Sequence, residues 1–222
     1  IAHEFRTPLT AILGYTELLQ EEYPEHDLLN EDLESILLAA TQLLLLVNEI
    51  LDLSKVEAGR ATVYVEEFSL AAPVEEITTL VDPLVSNGDN RLVIAPIASE
   101  VMLETDRVKL KQILFNLLSN AAKFTTKGTI SVETEIVGEE VVISVKDTGI
   151  GISKEQQARI FEAFAQADES TTREYGGTGL GLTLTKRFVE MMEGSIDVES
   201  ALGAGSTFSI ILLRYAWRIC PR

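Results

Sequence analysis

The chain has 222 residues, long enough for two modest domains, and 46% of them are hydrophobic, enough to bury a core. Its 35 acidic residues outnumber 18 basic ones, a formal net charge of −17. That balance disfavours nucleic acid and anionic membrane surfaces as partners, and leaves phosphate ligands only local positive sites made by Lys, Arg and backbone N–H groups. A single cysteine, Cys220, allows no internal disulfide and fits a reducing compartment.

The first residues already read as mid-helix, with no cap before His3. This suggests a cytoplasmic fragment of a longer chain and leaves room for a membrane anchor upstream. No apolar run approaches the roughly 20 residues that span a bilayer. The first helix is expected to reach about Glu22, where YPEHD breaks it, because proline lacks a donor and clashes with the preceding turn. A second helix is expected from about Leu28 to Glu57. Its apolar residues Leu33, Ile36, Leu37, Ala40, Leu43, Leu44, Val47, Ile50 and Leu51 recur at steps of three and four, a helical seam. Two lone amphipathic helices cannot bury such a stripe; two hairpins paired into a four-helix bundle can.

From about Ala61 the texture changes. VYVEEF reads as a strand and Leu70–Val85 as a helix. RLVIA and VMLET read as strands, Asp106–Lys123 as a helix, and TISVETEI and EVVISVKD as alternating strands. Helices are expected over Ser153–Phe164 and Leu180–Met192, then a strand pair, GSIDVES and STFSIILL, joined by ALGAG. The mixture implies an α/β sandwich with helices on one face of a mostly antiparallel sheet.

Three stretches carry chemistry. In HEFRTP, His3 and Thr7 lie four residues apart on one helix face, with Glu4 adjacent. An imidazole attacks an electrophile through a free lone pair, and a nearby carboxylate can take its proton or orient the ring. Pro8 removes a helical hydrogen bond to Glu4, so a kink beside His3 is expected. A zinc helix would need a second histidine where Thr7 stands, which disfavours metal hydrolysis.

In DRVKLKQILFNLLSNAAKF, one side is apolar while Asn116, Asn120 and Lys123 cluster on another. Asparagine is a poor mid-helix residue, and amide oxygens suit a hard cation such as Mg²⁺ that keeps waters and bridges phosphates. In KDTGIGI, Asp147 ends a strand and is placed to accept from an exocyclic amino group, with Gly149 and Gly151 leaving room for a flat ring. In EYGGTGLGLTL, Gly176, Gly177, Gly179 and Gly181 lead into a helix, bringing N–H groups and a helix dipole toward an anion. It lacks the ending of a P-loop and does not follow a strand as in a Rossmann unit.

Taken together, these stretches resemble the catalytic core of sensor histidine kinases. HEFRTPL is similar to their phosphoacceptor box, NLLSNAAKF to the N box, DTGIG and GGTGLGL to the glycine boxes, FEAF to the phenylalanine box and GAGSTF to the last glycine-rich motif. The motifs fall in the family's order from His3 to about Leu213. The resemblance implies an α+β chain with three parts: a dimerisation and phosphoacceptor hairpin over residues 1–60, half of a dimeric four-helix bundle; an ATP-binding α/β sandwich of the gyrase, heat-shock chaperone and histidine kinase type over 61–215; and a tail, 216–222.

It further implies that His3 receives the phosphoryl group of ATP, with Glu4 as general base. Asn120 would hold Mg²⁺, with Asn116 supporting the ion or its waters, and Lys123 would contact phosphate. Asp147 would read adenine beside Gly149 and Gly151, with Thr207 helping through water. Phe161 and Phe164 would anchor a lid over about 165–178. Gly177, Gly179, Leu180 and Gly181 would cover the phosphates, with Arg173 and Lys186 as further phosphate candidates. Thr7 matches a pattern linked to phosphatase activity. Implied partners are a second copy of the chain and a response-regulator receiver domain, since no aspartate-bearing receiver is present. Related ATPases of this fold carry a glutamate at the position of Asn116. A neutral amide cannot activate water, so ATP is expected to be held for His3 rather than hydrolysed. The basic RYAWRICPR tail lies beyond the last family strand.

Overall fold

The computed structural model describes residues 2–23, 27–98, 100–163 and 179–215. The chain divides into two compact units, Ile1–Ala61 and Thr62–Arg222.

The first unit is a pair of packed helices, α1 (Ala2–Glu22) and α2 (Asp27–Glu57). The helix of α1 continues through Pro8. Leu9 and Thr16 of α1, and Leu33 and Ala40 of α2, are buried at seven-residue spacing, which keeps them on one face of each helix. A second apolar face remains in solvent. On α1 it comprises Ile12, Tyr15 and Leu19, with Tyr15 70% exposed. On α2 it comprises Ile36, Leu43 and Ile50, again seven residues apart, with Leu43 50% exposed.

The second unit contains two sheets. Strand β1 (Glu66–Ser69) pairs antiparallel with β3 (Met102–Thr105). The main sheet has the order β2-β4-β5-β7-β6, formed by β2 (Arg91–Ile94), β4 (Thr129–Val137), β5 (Glu140–Asp147), β6 (Ser195–Ala201) and β7 (Gly205–Leu213). Among the described residues only the β2–β4 pair is parallel. Ile130 and Val132, then Val141, Ile143 and Val145, then Phe208, Ile210 and Leu212 alternate along their strands and are all buried. They form the sheet side of the core.

Helices α3 (Ala71–Asn87), α4 (Arg107–Phe124) and α6 (Gly181–Met191) supply the other side. The central element is α4, which touches α3, α6, β4 and β5. Its Leu110, Ile113, Leu114, Leu117 and Leu118 are fully or almost fully buried, each stabilising the fold by about 1.5–3 kcal/mol. The short α5 (Lys154–Gln157) opens with a reciprocal cap, the Ser153 hydroxyl accepting from Gln156 N–H and the Gln156 side chain from Ser153 N–H.

Two elements differ from expectation, each for a local reason. The strand expected at VYVEEF is delayed to Glu66, because Tyr64 gives its N–H to the Asp106 carboxylate at 2.9 Å instead of to a strand. The helix expected over Ser153–Phe164 stops after one turn. Its bonds then tighten to three-residue spacing, Arg159 N–H to Gln156 C=O and Glu162 N–H to Arg159 C=O. Among the described residues no helix is long and apolar enough to cross a membrane.

Candidate nucleotide site

Asp106 fixes the start of α4. Its carboxylate accepts from Lys109 N–H at 2.9 Å and from Lys109 Nζ at 2.8 Å, besides Tyr64. Burial pushes its carboxyl up, but these donors outweigh burial and hold it below the usual aspartate value. With the helix start and apolar face set, the polar side of α4 has a determined position.

On that side Asn116 and Asn120 form a relay. Asn116 Nδ2 donates to Thr185 Oγ1 of α6 at 2.7 Å, which turns Asn116 Oδ1 toward Asn120 Nδ2 at 3.3 Å. This bond orients the Asn120 amide, using one of its two N–H donors and leaving its oxygen as the acceptor end of the group. Asn116 is pinned on a third side: a Cβ at Gly181 would lie 2.3 Å from its Oδ1. Gly181 is thus needed for α6 to approach Asn116. Burial lowers the Lys123 ammonium pKa, and its Nζ lies 4.9 Å from the Phe124 ring.

Across the core, Asp147 ends β5 with 6% of its surface exposed. One carboxylate oxygen accepts from Gly149 N–H at 2.8 Å. Ser206, its antiparallel partner on β7, is buried on the same face, and its backbone N–H and hydroxyl, with the Thr125 hydroxyl, work to lower the Asp147 pKa. Burial raises the Asp147 pKa, and the hydrogen bonds offset only part of that rise. A buried carboxylate of this kind favours a ligand that brings a donor.

The expectation for Thr207 is corrected by register. Thr207 stands opposite Lys146 and faces away from the core, whereas Ser206 stands opposite Asp147 and faces inward. Strand alternation held the signal: Ser206 lies two residues before buried Phe208 and so shares its face. The physical reason for the two glycines also differs from expectation. A Cβ on Gly149 would sit 2.1 Å from the Phe124 carbonyl oxygen, and one on Gly151, where φ is +70°, would sit 2.0 Å from that of Ala201. The protein's own backbone crowds them.

Leu180 is fully buried just before α6, so it anchors the C-terminal end of the glycine strap to the core rather than facing a ligand; Gly179 precedes it at φ +70°. Lys186 is exposed, its Nζ 5.6 Å from the ring of half-buried Phe161. His3, Glu4 and Thr7 lie on the α1 helix, but their side chains fall outside the described set, as do Phe164, Arg173, Gly176, Gly177 and the tail. Among the described residues no His, Cys, Asp and Glu cluster could hold a metal. A surface cavity of about 570 Å³ lined by Tyr64, Val65, Glu66, Asp106, Val108 and Lys109 shares no residue with this site.

A buried carboxylate on a sheet, a core helix with paired amides, and Gly179 and Gly181 leading into α6 define a nucleotide-binding α/β sandwich. Residues 105–216 match the family described as histidine kinase-, DNA gyrase B- and HSP90-like ATPase, and residues 1–59 match the His kinase A phosphoacceptor domain. The chain belongs to the sensor histidine kinase family. It is 39% identical over 219 residues to the autoinducer 2 sensor kinase/phosphatase LuxQ of Vibrio harveyi, covering 96% of this chain and 25% of that protein. It is 42% identical to the sensor histidine kinase GacS of Pseudomonas protegens, covering 96% of this chain and 24% of that one. The chain thus spans about a quarter of the length of these curated relatives. Full-length ShkA, solved in complex with AMPPNP, superposes with a TM-score of 0.80 at 29% identity, covering 95% of this chain and 44% of the other.

Proposed function

We propose that this chain binds ATP between α4 and the Asp147 end of the sheet and transfers the γ-phosphoryl group to His3. Asp147 would accept from the 6-amino group of adenine, using the acceptor capacity that burial makes costly to leave unfilled. Asn120 would offer its amide oxygen to Mg²⁺, and a single neutral protein oxygen suits an ion whose other partners are phosphates and water. Bound magnesium neutralises phosphate charge. Asn116 would act through Asn120, and Lys123 would face phosphate, whose charge would reverse the lowering of its pKa by burial. Gly177, Gly179 and Gly181 would let the strap approach the phosphates, with Arg173 adding charge.

At His3, the imidazole nitrogen forms a bond to the γ-phosphorus while the bond from that phosphorus to the β-bridging oxygen breaks. ADP leaves, and Glu4 takes the imidazole proton. The phosphoryl group then passes to an aspartate of a response-regulator receiver domain on another polypeptide or segment. Thr7, one helical turn from His3, would orient water for attack on the phosphorylated aspartate of that partner, which releases inorganic phosphate. The exposed seams Ile12–Tyr15–Leu19 and Ile36–Leu43–Ile50 support a homodimer in which two hairpins form a four-helix bundle. This reading places the segment in the cytoplasm, where ATP is found, with no contact to membrane or nucleic acid.

The observation that carries the reading is the neutral amide of Asn116, locked between Thr185, Asn120 and Gly181. At that place it orients a metal ligand and activates no water. The test is incubation with γ-labelled ATP. Acid-labile, alkali-stable label on the wild type and none on His3→Gln supports a histidine kinase. Steady ATP turnover without labelled protein would favour an ATPase clamp of the same fold instead.

A further inference from the structure

Lys109, in the first turn of α4, ties down a stretch of chain that takes no part in holding nucleotide. Its Nζ donates to the Thr62 carbonyl oxygen at 2.6 Å and to Asp106 Oδ2 at 2.8 Å. The same Asp106 oxygen accepts from Tyr64 N–H at 2.9 Å. The Lys109 side chain is only 14% exposed, and the rings of Tyr64 and Phe188 each lie 6.0 Å from its Nζ. Residues 61–65 belong to no helix or strand. The Lys109–Asp106 ion pair nevertheless fastens Thr62 and Tyr64 to the second unit before β1 begins at Glu66.

The preceding residues are fastened to the first unit instead. Gly59 stands at φ +64° just after α2, and the chain there turns back on the helix end. Gly59 N–H donates to Val56 C=O at 3.0 Å, and the N–H groups of Arg60 and Ala61 both donate to Lys55 C=O, at 2.9 and 3.2 Å. The last bond to α2 is thus made by Ala61 N–H, and the first bond to the second unit by Thr62 C=O. Peptide bonds are planar, so only the φ and ψ torsions of Ala61 and Thr62 remain soft between the two anchors. His3 belongs to the first unit, and Asn120 and Asp147 to the second. Phosphoryl transfer from the nucleotide site to an imidazole therefore depends on a link two residues long.

We propose that Lys109 is a positioning residue for phosphoryl transfer: by holding the Thr62 carbonyl beside Asp106, it confines the free link between the two units to Ala61 and Thr62. The inference rests on the reading that the second unit binds ATP and His3 receives its γ-phosphoryl group. A short link keeps the effective concentration of the bound phosphate at the imidazole high, and that concentration falls as about the −3/2 power of link length. Without the Lys109 ammonium the next anchor is Tyr64 N–H on Asp106, and the free link grows to Ala61–Val63. Substitution of the side chain leaves the backbone N–H of residue 109 to cap α4 through Asp106 Oδ1. The start of the helix that carries Asn116 and Asn120 is thereby kept.

The test compares, in the full chain, the rate of His3 labelling at saturating γ-labelled ATP with calorimetric binding of ADP. Lys109→Met lengthens the link from two residues to three and is expected to slow labelling about twofold. Two glycines inserted between Ala61 and Thr62 lengthen it to four residues and are expected to slow labelling about threefold. ADP binding should stay at the wild-type value in both. Amide exchange should quicken over residues 61–65 in Lys109→Met and stay unchanged at the start of α4. Lys109→Arg, which keeps a cationic donor, is expected to restore the rate. A labelling rate in Lys109→Met equal to or above wild type overturns the assignment. So does ADP binding that weakens in step with the rate, which would reduce Lys109 to a support of α4. Where Lys109→Met does not fold, the insertion decides, and a rate equal to wild type there overturns the inference. A wild type that binds ADP and takes no label on His3 refutes the kinase reading itself, and this inference with it.

Discussion

Replacing Asp147 by asparagine keeps the shape of the side chain and removes its charge, and the structure assigns the change two separable effects. The first is on affinity. A hydrogen bond from the adenine amino group to a charged acceptor is worth about 1.5–3 kcal/mol, so Asp147→Asn should raise the dissociation constant for ATP about ten- to 150-fold. The second is on pH dependence. Burial raises the Asp147 pKa above its ordinary 3.8. The folded protein therefore holds this proton more tightly than the unfolded chain does. The carboxylate costs the nucleotide-free fold nothing below pH 3.8, and the cost grows as pH rises through the folded pKa. Bound nucleotide favours the ionised form, so binding in that window expels a proton. ATP affinity should fall on acidification, beginning at a higher pH than an ordinary aspartate would allow. Titration calorimetry across that range, in buffers of different ionisation enthalpy, reads both effects. An Asp147→Asn protein that binds ATP within about threefold of wild type would refute the reasoning, as would a wild-type affinity with no acid dependence that the variant lacks.

Other consequences concern the amide relay and the hairpin. Asn116→Glu places a general base where the amide stood, and should raise ATP hydrolysis without raising labelled protein, as measured by phosphate release. Gly181→Ala puts a methyl 2.3 Å from Asn116 Oδ1 and should shift the relay, weakening Mg²⁺-dependent ATP binding about tenfold, as supporting-shell changes do, with little change in binding measured without metal. Leu43→Glu, at the centre of the exposed α2 seam, should leave each hairpin helical and convert dimer to monomer in sedimentation velocity; an unchanged dimer would remove the seam from the interface. Gly205→Ala, at φ +85° with its Cβ 2.0 Å from the Asp147 carbonyl, should lower thermal stability by about 1–3 kcal/mol, measured by denaturant melts.

Elements set by long hydrophobic periodicity were legible in the sequence. The alternation of EVVISVKD places β5 at Glu140–Asp147, and the apolar face of DRVKLKQILFNLLSNAAKF places α4 at Arg107–Phe124. The failures arose where a distant side chain competes for a local backbone group. Nothing near VYVEEF shows that Asp106, 42 residues on, takes the Tyr64 N–H. Nor does FEAF reveal that α5 ends after Gln157, whose side chain is bonded to Ile152 and Ser200 rather than to its own helix. At the site, the residue types were readable because two asparagines inside a helix and glycines beside a strand-end aspartate are poor choices for structure alone. Their partners were not. Thr185 meets Asn116 only because α4 and α6 pack side by side, and Ser206 meets Asp147 only through sheet register.

The central claim is that ATP held at the Asp147–Asn120 site is delivered to an imidazole and not to water. The most direct measurement mixes His3→Gln and Asp147→Asn chains, at an ATP concentration too low to occupy the weakened Asp147→Asn site, and follows transfer of label from γ-labelled ATP. Wild type should gain acid-labile label on His3 with little free phosphate, and each single variant should gain none. In the mixture, label on the Asp147→Asn chain reports transfer between subunits, and its absence reports transfer within one. Stable label on His3→Gln, or rapid phosphate release from a wild type that never becomes labelled, would contradict the account.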